Sequence, residues 1–173
     1  MKKITIIAAI IIVCLCLFKS ETIVIPKEAI RFRVIANSNS KKDQNIKQTI
    51  VKKLSQNIQN LTLKPKDIIT SRKNIKDSIP SFKEAIDDTL QDLKEETDYT
   101  IEYGMNYFPE KEYNGIIYEE GEYESLVIKL WKGIGVNFWC ILFPPLCLLD
   151  GEETENKKIE YTSYIKEIID KYF

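Results

Sequence analysis

An apolar run of strand length, Val136 to Phe143, constrains the fold more than any other stretch. Gly133 and Gly135 stand before it and Pro144-Pro145 after it, with Cys140 and Cys147 around its end. Its β-branched and aromatic residues suit a pleated, packed surface. The glycines permit a turn or bulge at its start. Two consecutive prolines lack backbone donors, so a sheet ladder must stop there. The run therefore predicts a central strand with a turn after it. Alternation would place Val136, Phe138 and Cys140 on one face and Asn137, Trp139 and Ile141 on the other.

Two negatives limit the chemistry. The chain has no histidine, which excludes Ser-His-Asp and Cys-His catalysis and weighs against a catalytic zinc site. No glycine-rich phosphate loop is present, because Gly133 and Gly135 lack the rest of either nucleotide fingerprint. Glu119, Glu120, Glu122 and Glu124 form an acidic cluster. A glycosidase needs two carboxylates held across a bond at a defined separation, and a solvated turn explains these four more simply. Asn37, Ser38, Asn39 and Asp43 are oxygen-rich but do not match an EF-hand loop; a helix cap accounts for them. The reading is no catalytic residue, no cofactor and no metal.

Met1-Lys2-Lys3 followed by the uncharged, largely aliphatic stretch Ile4 to Phe18 reads as an export signal. It is short for a spanning helix, which wants about 20 apolar residues. Residues 1–20 are thus a signal peptide or an N-terminal membrane anchor, and residues 28–173 a single exported domain. Lys2, Lys3 and Lys19, three of the 25 basic residues, would leave with the leader, so that 26 acidic residues exceed 22 basic ones. This balance argues against nucleic acid as a partner and confines membrane contact to the N-terminal segment. Outside the cytoplasm Cys140 and Cys147 can form one intrachain disulfide; two separately buried thiols are the alternative.

The rest of the domain reads as α+β. Ile30, Phe32 and Val34 alternate with Arg31 and Arg33, the period of a half-buried strand. Ser40 with Asp43 is a capping-box pattern. Ile46, Ile50, Leu54, Ile58 and Leu61 then predict a helix over 41–60. A short second helix reaches Pro80, which is expected to break it, with Ser78 capping a third that runs to about Glu96. Tyr99 to Phe108, Ile116 to Tyr118 and Tyr123 to Trp131 read as strands, and Pro109 to Gly115 as a loop. In the first of these, Tyr99, Ile101, Tyr103, Met105 and Tyr107 share a face. Asp150 to Lys158 reads as a loop before an amphipathic C-terminal helix from Ile159. The expected architecture is an antiparallel sheet of about four strands packed with helices on one face.

Several of these segments resemble one family. Ile30-Arg31-Phe32-Arg33-Val34-Ile35-Ala36-Asn37-Ser38 with Asp43-Gln44 is similar to the opening motif of stage II sporulation protein R. Gly121-Glu122-Tyr123-Glu124 resembles its second signature. Gly135, Asn137, Trp139-Cys140 and Phe143-Pro144-Pro145-Leu146-Cys147 resemble its third. The likeness covers residues 28 to 149. It departs at Arg33, where the family usually has histidine, and at Asn39, Phe138 and Trp131, where aspartate, tryptophan and glycine are usual. A mechanism needing a histidine at position 33 cannot operate in this chain.

The resemblance implies a non-enzymatic signal of endospore formation. Such proteins are exported from the forespore into the intermembrane space. There they activate a membrane-embedded aspartic-type peptidase, which processes the inactive precursor of the mother-cell sigma factor sigma-E. Trp139, Phe143, Pro144, Pro145 and Leu146 are the candidate contacts for that peptidase, since aromatic residues often anchor interfaces. An exported hydrolase using the Glu119–Glu124 carboxylates, or a passive envelope-anchored protein, are the alternatives.

Overall fold

A computed structural model describes residues 23–62, 67–113, 116–147 and 165–173. The export segment, the Asp150–Lys158 loop and the expected start of the C-terminal helix lie outside these residues. The order is β1 (Ile23–Val24), β2 (Ile30–Ile35), α1 (Lys41–Thr62), α2 (Ile68–Leu93), β3 (Tyr99–Phe108), β4 (Lys111–Tyr113), β5 (Ile116–Tyr118), β6 (Gly121–Leu130) and β7 (Asn137–Phe143). Residues 165–172 form a further helix, α3. Among the described residues no helix is long and apolar enough to cross a membrane.

The chain is α+β, and its main sheet has four strands in the order β3-β6-β2-β7. Two ladders are antiparallel, β3–β6 and β2–β7, while β2 and β6 run parallel. The parallel pair is allowed because two helices and three strands intervene between its members, far more chain than a crossover needs. β1, β5 and β4 make a second sheet of three strands, so part of the expected Pro109–Gly115 loop is strand.

Helices α1 and α2 cover one face of the main sheet. Phe32, Val34, Leu126 and Ile128 meet Ile50, Leu54, Ile58, Phe82 and Ile86 there in one buried cluster. Alternation explains this, because residues two apart share a strand face. In α1 the Asp43 amide donates to Ser40 Oγ at 3.1 Å, the cap its sequence implies.

α2 departs from expectation, since it runs unbroken from Asp67 as N-cap through Pro80. Its apolar stripe, Ile75, Ile79, Phe82, Ile86 and Leu90, keeps one spacing across the proline. Burying such side chains contributes about 1.5–3 kcal/mol each, together more than the ~3 kcal/mol a mid-helix proline costs. Pro80 also sits on the exposed side, where water can reach the carbonyl it leaves without a donor. Ser78 does not cap a helix; its hydroxyl donates to the Asn74 carbonyl at 2.7 Å.

β7 is an edge strand of the main sheet rather than a central one. Both its faces are apolar because both are covered. Phe138 and Cys140 pack toward the helices, while Trp139 and Ile141 pack on the opposite face. That opposite face carries Ile35, Phe108, Tyr123 and Val127 beside Trp139. Ile25, Ala29, Ile141 and Leu146 meet Ile165 of α3 close by, with Tyr118 against them. β2 is therefore not a half-buried strand: Arg31, on its nominally polar side, is 1% exposed.

Candidate functional site

The structure brings the three motif segments together as adjacent strands. Phe32 of β2 stands opposite Leu126 of β6 and Cys140 of β7, and Arg33 opposite Val127 and Trp139. The motif residues thus form the middle and one edge of the sheet, together with the loops at one end.

At that end the polar motif residues bind one another and the loop 131–136. Asp43 accepts from Asn37 Nδ2 at 2.9 Å and from the Ser38 hydroxyl. Gln44 donates to the Ser38 carbonyl at 2.8 Å. Asn39 Oδ1 accepts from the Val136 amide at 2.7 Å, and the Gly135 amide donates to the Ala36 carbonyl at 2.9 Å. Lys47, 6% exposed, donates to Gln44 and to the Val136 carbonyl at 2.7 and 2.9 Å. The Ser38 bond holds the Asp43 carboxyl below the usual aspartate value, aided by Ser40 and Asn37. Burial, with Lys111 nearby, lowers Lys47.

This network presents a loop that sequence reading did not select. Trp131, Ile134 and Val136 are 57%, 73% and 61% exposed. Trp131 itself adopts a left-handed backbone, φ 45°, and Gly133 another, φ 61°. Three large apolar side chains within six residues of a loop, interspersed with Gly133 and Gly135, were the available signal. The expectation of Trp131 as a strand end and Val136 as a strand start concealed it.

The residues expected to touch a partner are mostly inside. Phe143, Pro144 and Leu146 are buried, and Pro145 is half-buried. Phe143 packs edge-on against Tyr172 at 5.2 Å between ring centroids. The structure joins Cys140 to Cys147 as a disulfide, with Cα atoms 5.0 Å apart, within the span such a bond requires. Trp139 is half-buried in a ring cluster, 5.2 Å from Phe108 and 6.4 Å from Tyr118, with the Lys111 ammonium 5.2 Å from its ring. Of the five, Trp139 and Pro145 keep accessible surface.

The acidic cluster is dispersed. Glu124 points to the helix side, where Arg72 donates from Nε and Nη2 at 2.9 and 2.8 Å and the Tyr103 hydroxyl donates at 2.6 Å. Glu120 instead accepts from the Tyr107 hydroxyl at 3.2 Å. No group of three or more Cys, Asp or Glu among the described residues is placed to hold a metal ion.

Burial alone would raise the Glu124 carboxyl, but the Arg72 and Tyr103 bonds outweigh it and leave it below its ordinary 4.5. A carboxyl lowered in the fold binds its proton more readily when unfolded, so its stabilisation is present above the ordinary value and lost as pH falls through the folded one. Asp43 acts in the same direction. The melting temperature should therefore hold from about pH 7 to 5 and decline below about pH 4.5. Arg72→Met should make the decline shallower. A pH-independent melting temperature down to about pH 3 would contradict this.

The comparisons agree on one family. The chain matches the family described as Stage II sporulation protein R over residues 26–153. Stage II sporulation protein R of Bacillus subtilis (strain 168) is 34% identical over 140 residues. That stretch covers 81% of this chain, and the chain spans 62% of the relative's length. No solved structure matches. The matched region runs from the residues before β2 through β7 and its proline turn, the same strands and loops that hold the motif network, and this chain belongs to the stage II sporulation protein R family.

Proposed function

We propose that this protein is an intercellular sporulation signal. It is exported from the forespore, remains in the intermembrane space either free or held by residues 1–20, and binds the outward-facing part of a membrane-embedded aspartic-type peptidase. That peptidase then processes the sigma-E precursor. Binding activates only if the domain meets the active form more tightly than the inactive one.

The observation that carries this reading is the family match over residues 26–153. The loop 131–136 is the contact surface this chain offers, and its Trp131 is particular to this chain. The Asn37 and Asn39 side chains and the Ala36 and Asn37 carbonyls hold it, and it offers Trp131, Ile134 and Val136 to solvent. Clustered exposed apolar side chains on an otherwise polar surface mark interaction sites, and tryptophan is enriched where interfaces concentrate their energy. The reading assigns no catalysis to this chain: Arg72 and Tyr103 engage Glu124, and Glu120 lies with Tyr107 instead.

Co-expression of the chain with the peptidase and the sigma-E precursor in a non-sporulating host tests the function. Precursor processing should depend on this protein; equal processing without it removes the proposal. Trp131→Ala with Ile134→Asp tests the surface. Losing one such anchor costs about 2 kcal/mol of binding, about thirty-fold in affinity. Processing should fall while the melting temperature stays near that of the parent. Normal processing by this variant would move the contact elsewhere, first to Trp139 and Pro145.

A further inference from the structure

Two cations lie on the face of β2 opposite the helices. Among the described residues neither forms an ion pair, although the Glu119 charge is near enough to favour the Arg31 cation weakly. Arg31 is 1% exposed. Its guanidinium carbon lies 3.4 Å from the Tyr123 ring centroid, 5.3 Å from Phe108 and 5.8 Å from Tyr118. The Arg33 guanidinium lies 4.5 Å from the same Phe108 ring. The hydrogen bond Arg31 makes is a long one, from Nη1 to the Glu119 backbone carbonyl at 3.5 Å. Nε and Nη2 of Arg31, Nε of Arg33 and the Tyr123 hydroxyl are buried without hydrogen-bond partners. The ion pairs among the described residues, Lys42–Glu95 and Arg72–Glu124, do not involve this cluster.

A guanidinium has two kinds of surface. Its flat faces stack on aromatic rings, and its rim carries five donors in the guanidinium plane. Here the rings serve the faces of Arg31. Such contacts offset part of what burying an ion costs, not all of it. The rim still needs an acceptor. Nε and Nη2 form the side fork of arginine, two parallel donors spaced to grip two oxygens of one carboxylate or phosphate. In Arg31 both donors of that fork lack a partner.

We propose that Arg31 and Arg33 form a binding site for a small oxyanion, a carboxylate or phosphate group. The ligand takes a bidentate grip from Nε and Nη2 of Arg31, and Arg33 Nε and the Tyr123 hydroxyl are further donors in the same cluster. The aromatic wall of Phe108, Tyr118 and Tyr123 keeps water from competing and strengthens each charged bond. Burial pushes both guanidinium groups toward the neutral form, a tendency that a bound anion opposes. This site lies on the opposite face of the sheet from the helices and is independent of the signalling role.

The test uses the full chain in non-ionic detergent, at ionic strength held constant with sodium chloride. Sodium phosphate and sodium acetate are titrated separately while the melting temperature is recorded. A ligand that binds only the folded state raises it with concentration above the dissociation constant. At least one of the two should raise it, to the degree chloride alone does not. Response to phosphate identifies a tetrahedral ligand, and response to acetate alone a planar one.

Arg31→Met should abolish the response. Arg33→Met, at a half-buried position, should weaken the apparent affinity by about tenfold, as expected for one charge-assisted bond. If Arg31→Met does not fold, the Arg31 Nε–H resonance of the parent chain gives the answer, since it should move on addition of the responding anion. No response to either anion, an equal response to chloride, a full response in a folded Arg31→Met, or an unmoved Arg31 resonance would each overturn the assignment.

Discussion

Replacing Gly135 with alanine should destabilise the domain by about 3 kcal/mol, at the upper end of what overpacking costs. A Cβ there would lie 2.6 Å from the Ser38 carbonyl carbon and closer still to its oxygen, with the Ala36 Cβ at 3.0 Å. Ser38 offers backbone, not a flexible side-chain end, so one of the two loops must withdraw. Withdrawal would break the Gly135–Ala36 and Ile134–Asn37 backbone bonds and the Asn39–Val136 bond together. Urea unfolding measures the loss. Gly104→Ala is the control, because nothing lies within 4 Å of its added Cβ, and it should change stability by less than about 0.5 kcal/mol. Similar midpoints for the two variants would mean that the loops do not depend on their close approach. A Gly135→Ala protein that still folds should also signal poorly, since the network holding Trp131 and Ile134 in place is disrupted.

Phe32→Ala should cost more, about 4 kcal/mol, because truncating a buried phenylalanine loses its transfer energy and leaves a cavity. Phe32 is fully buried at the centre of β2, between Leu126 of β6 and Cys140 of β7. Its ring packs edge-on against Phe82 at 6.1 Å and Phe138 at 6.2 Å, so α2, β2 and β7 all lean on it. Phe32→Leu keeps most of the volume and should cost about 1 kcal/mol. The difference between the two variants, read from denaturant midpoints at equal slope, reports the cavity. A loss below about 1.5 kcal/mol for Phe32→Ala would mean that the strands and helix close over the gap.

Both predictions rest on residues whose importance the sequence displayed unevenly. Alternation identified Phe32 as a core residue, because its neighbours Arg31 and Arg33 are polar and Ile30 and Val34 are not. The closeness of Gly135 to Ser38 had no local signal: the two residues are far apart in the chain, and their contact follows from β2 pairing with β7. The same pairing explains the polar motif. Asn37, Ser38, Asn39 and Asp43 looked like a helix cap, and the Ser40 bond to Asp43 is one. Asn37 and Asn39 nevertheless also accept from the Lys132, Ile134 and Val136 amides, and only the fold brings those two loops together.

The apolar run with which the sequence reading began shows the same division. Its length, its alternation and its proline stop are legible, and Phe138 and Cys140 do face the helices while Trp139 and Ile141 face away. Its place at the sheet edge is not legible. Hydrophobicity records that both faces are covered, not whether a strand lies on each side. Phe143, Pro144 and Leu146 were expected at a surface and are buried, whereas Trp131, Ile134 and Val136 are exposed.

By itself the sequence determined what is set within a few residues: the alternating strands, the Ser40 cap, the stripe of α1, the α+β class and the family. Tertiary structure decided what depends on the covering layer. It carried α2 across Pro80, because one continuous apolar stripe outweighs one proline. It made β2 and β6 parallel, because long helical connections free strand direction. It enclosed Arg31, because rings from β3, β5 and β6 close over the polar side of β2. Periodicity reports which side of an element is apolar; burial of the other side depends on partners distant in the chain.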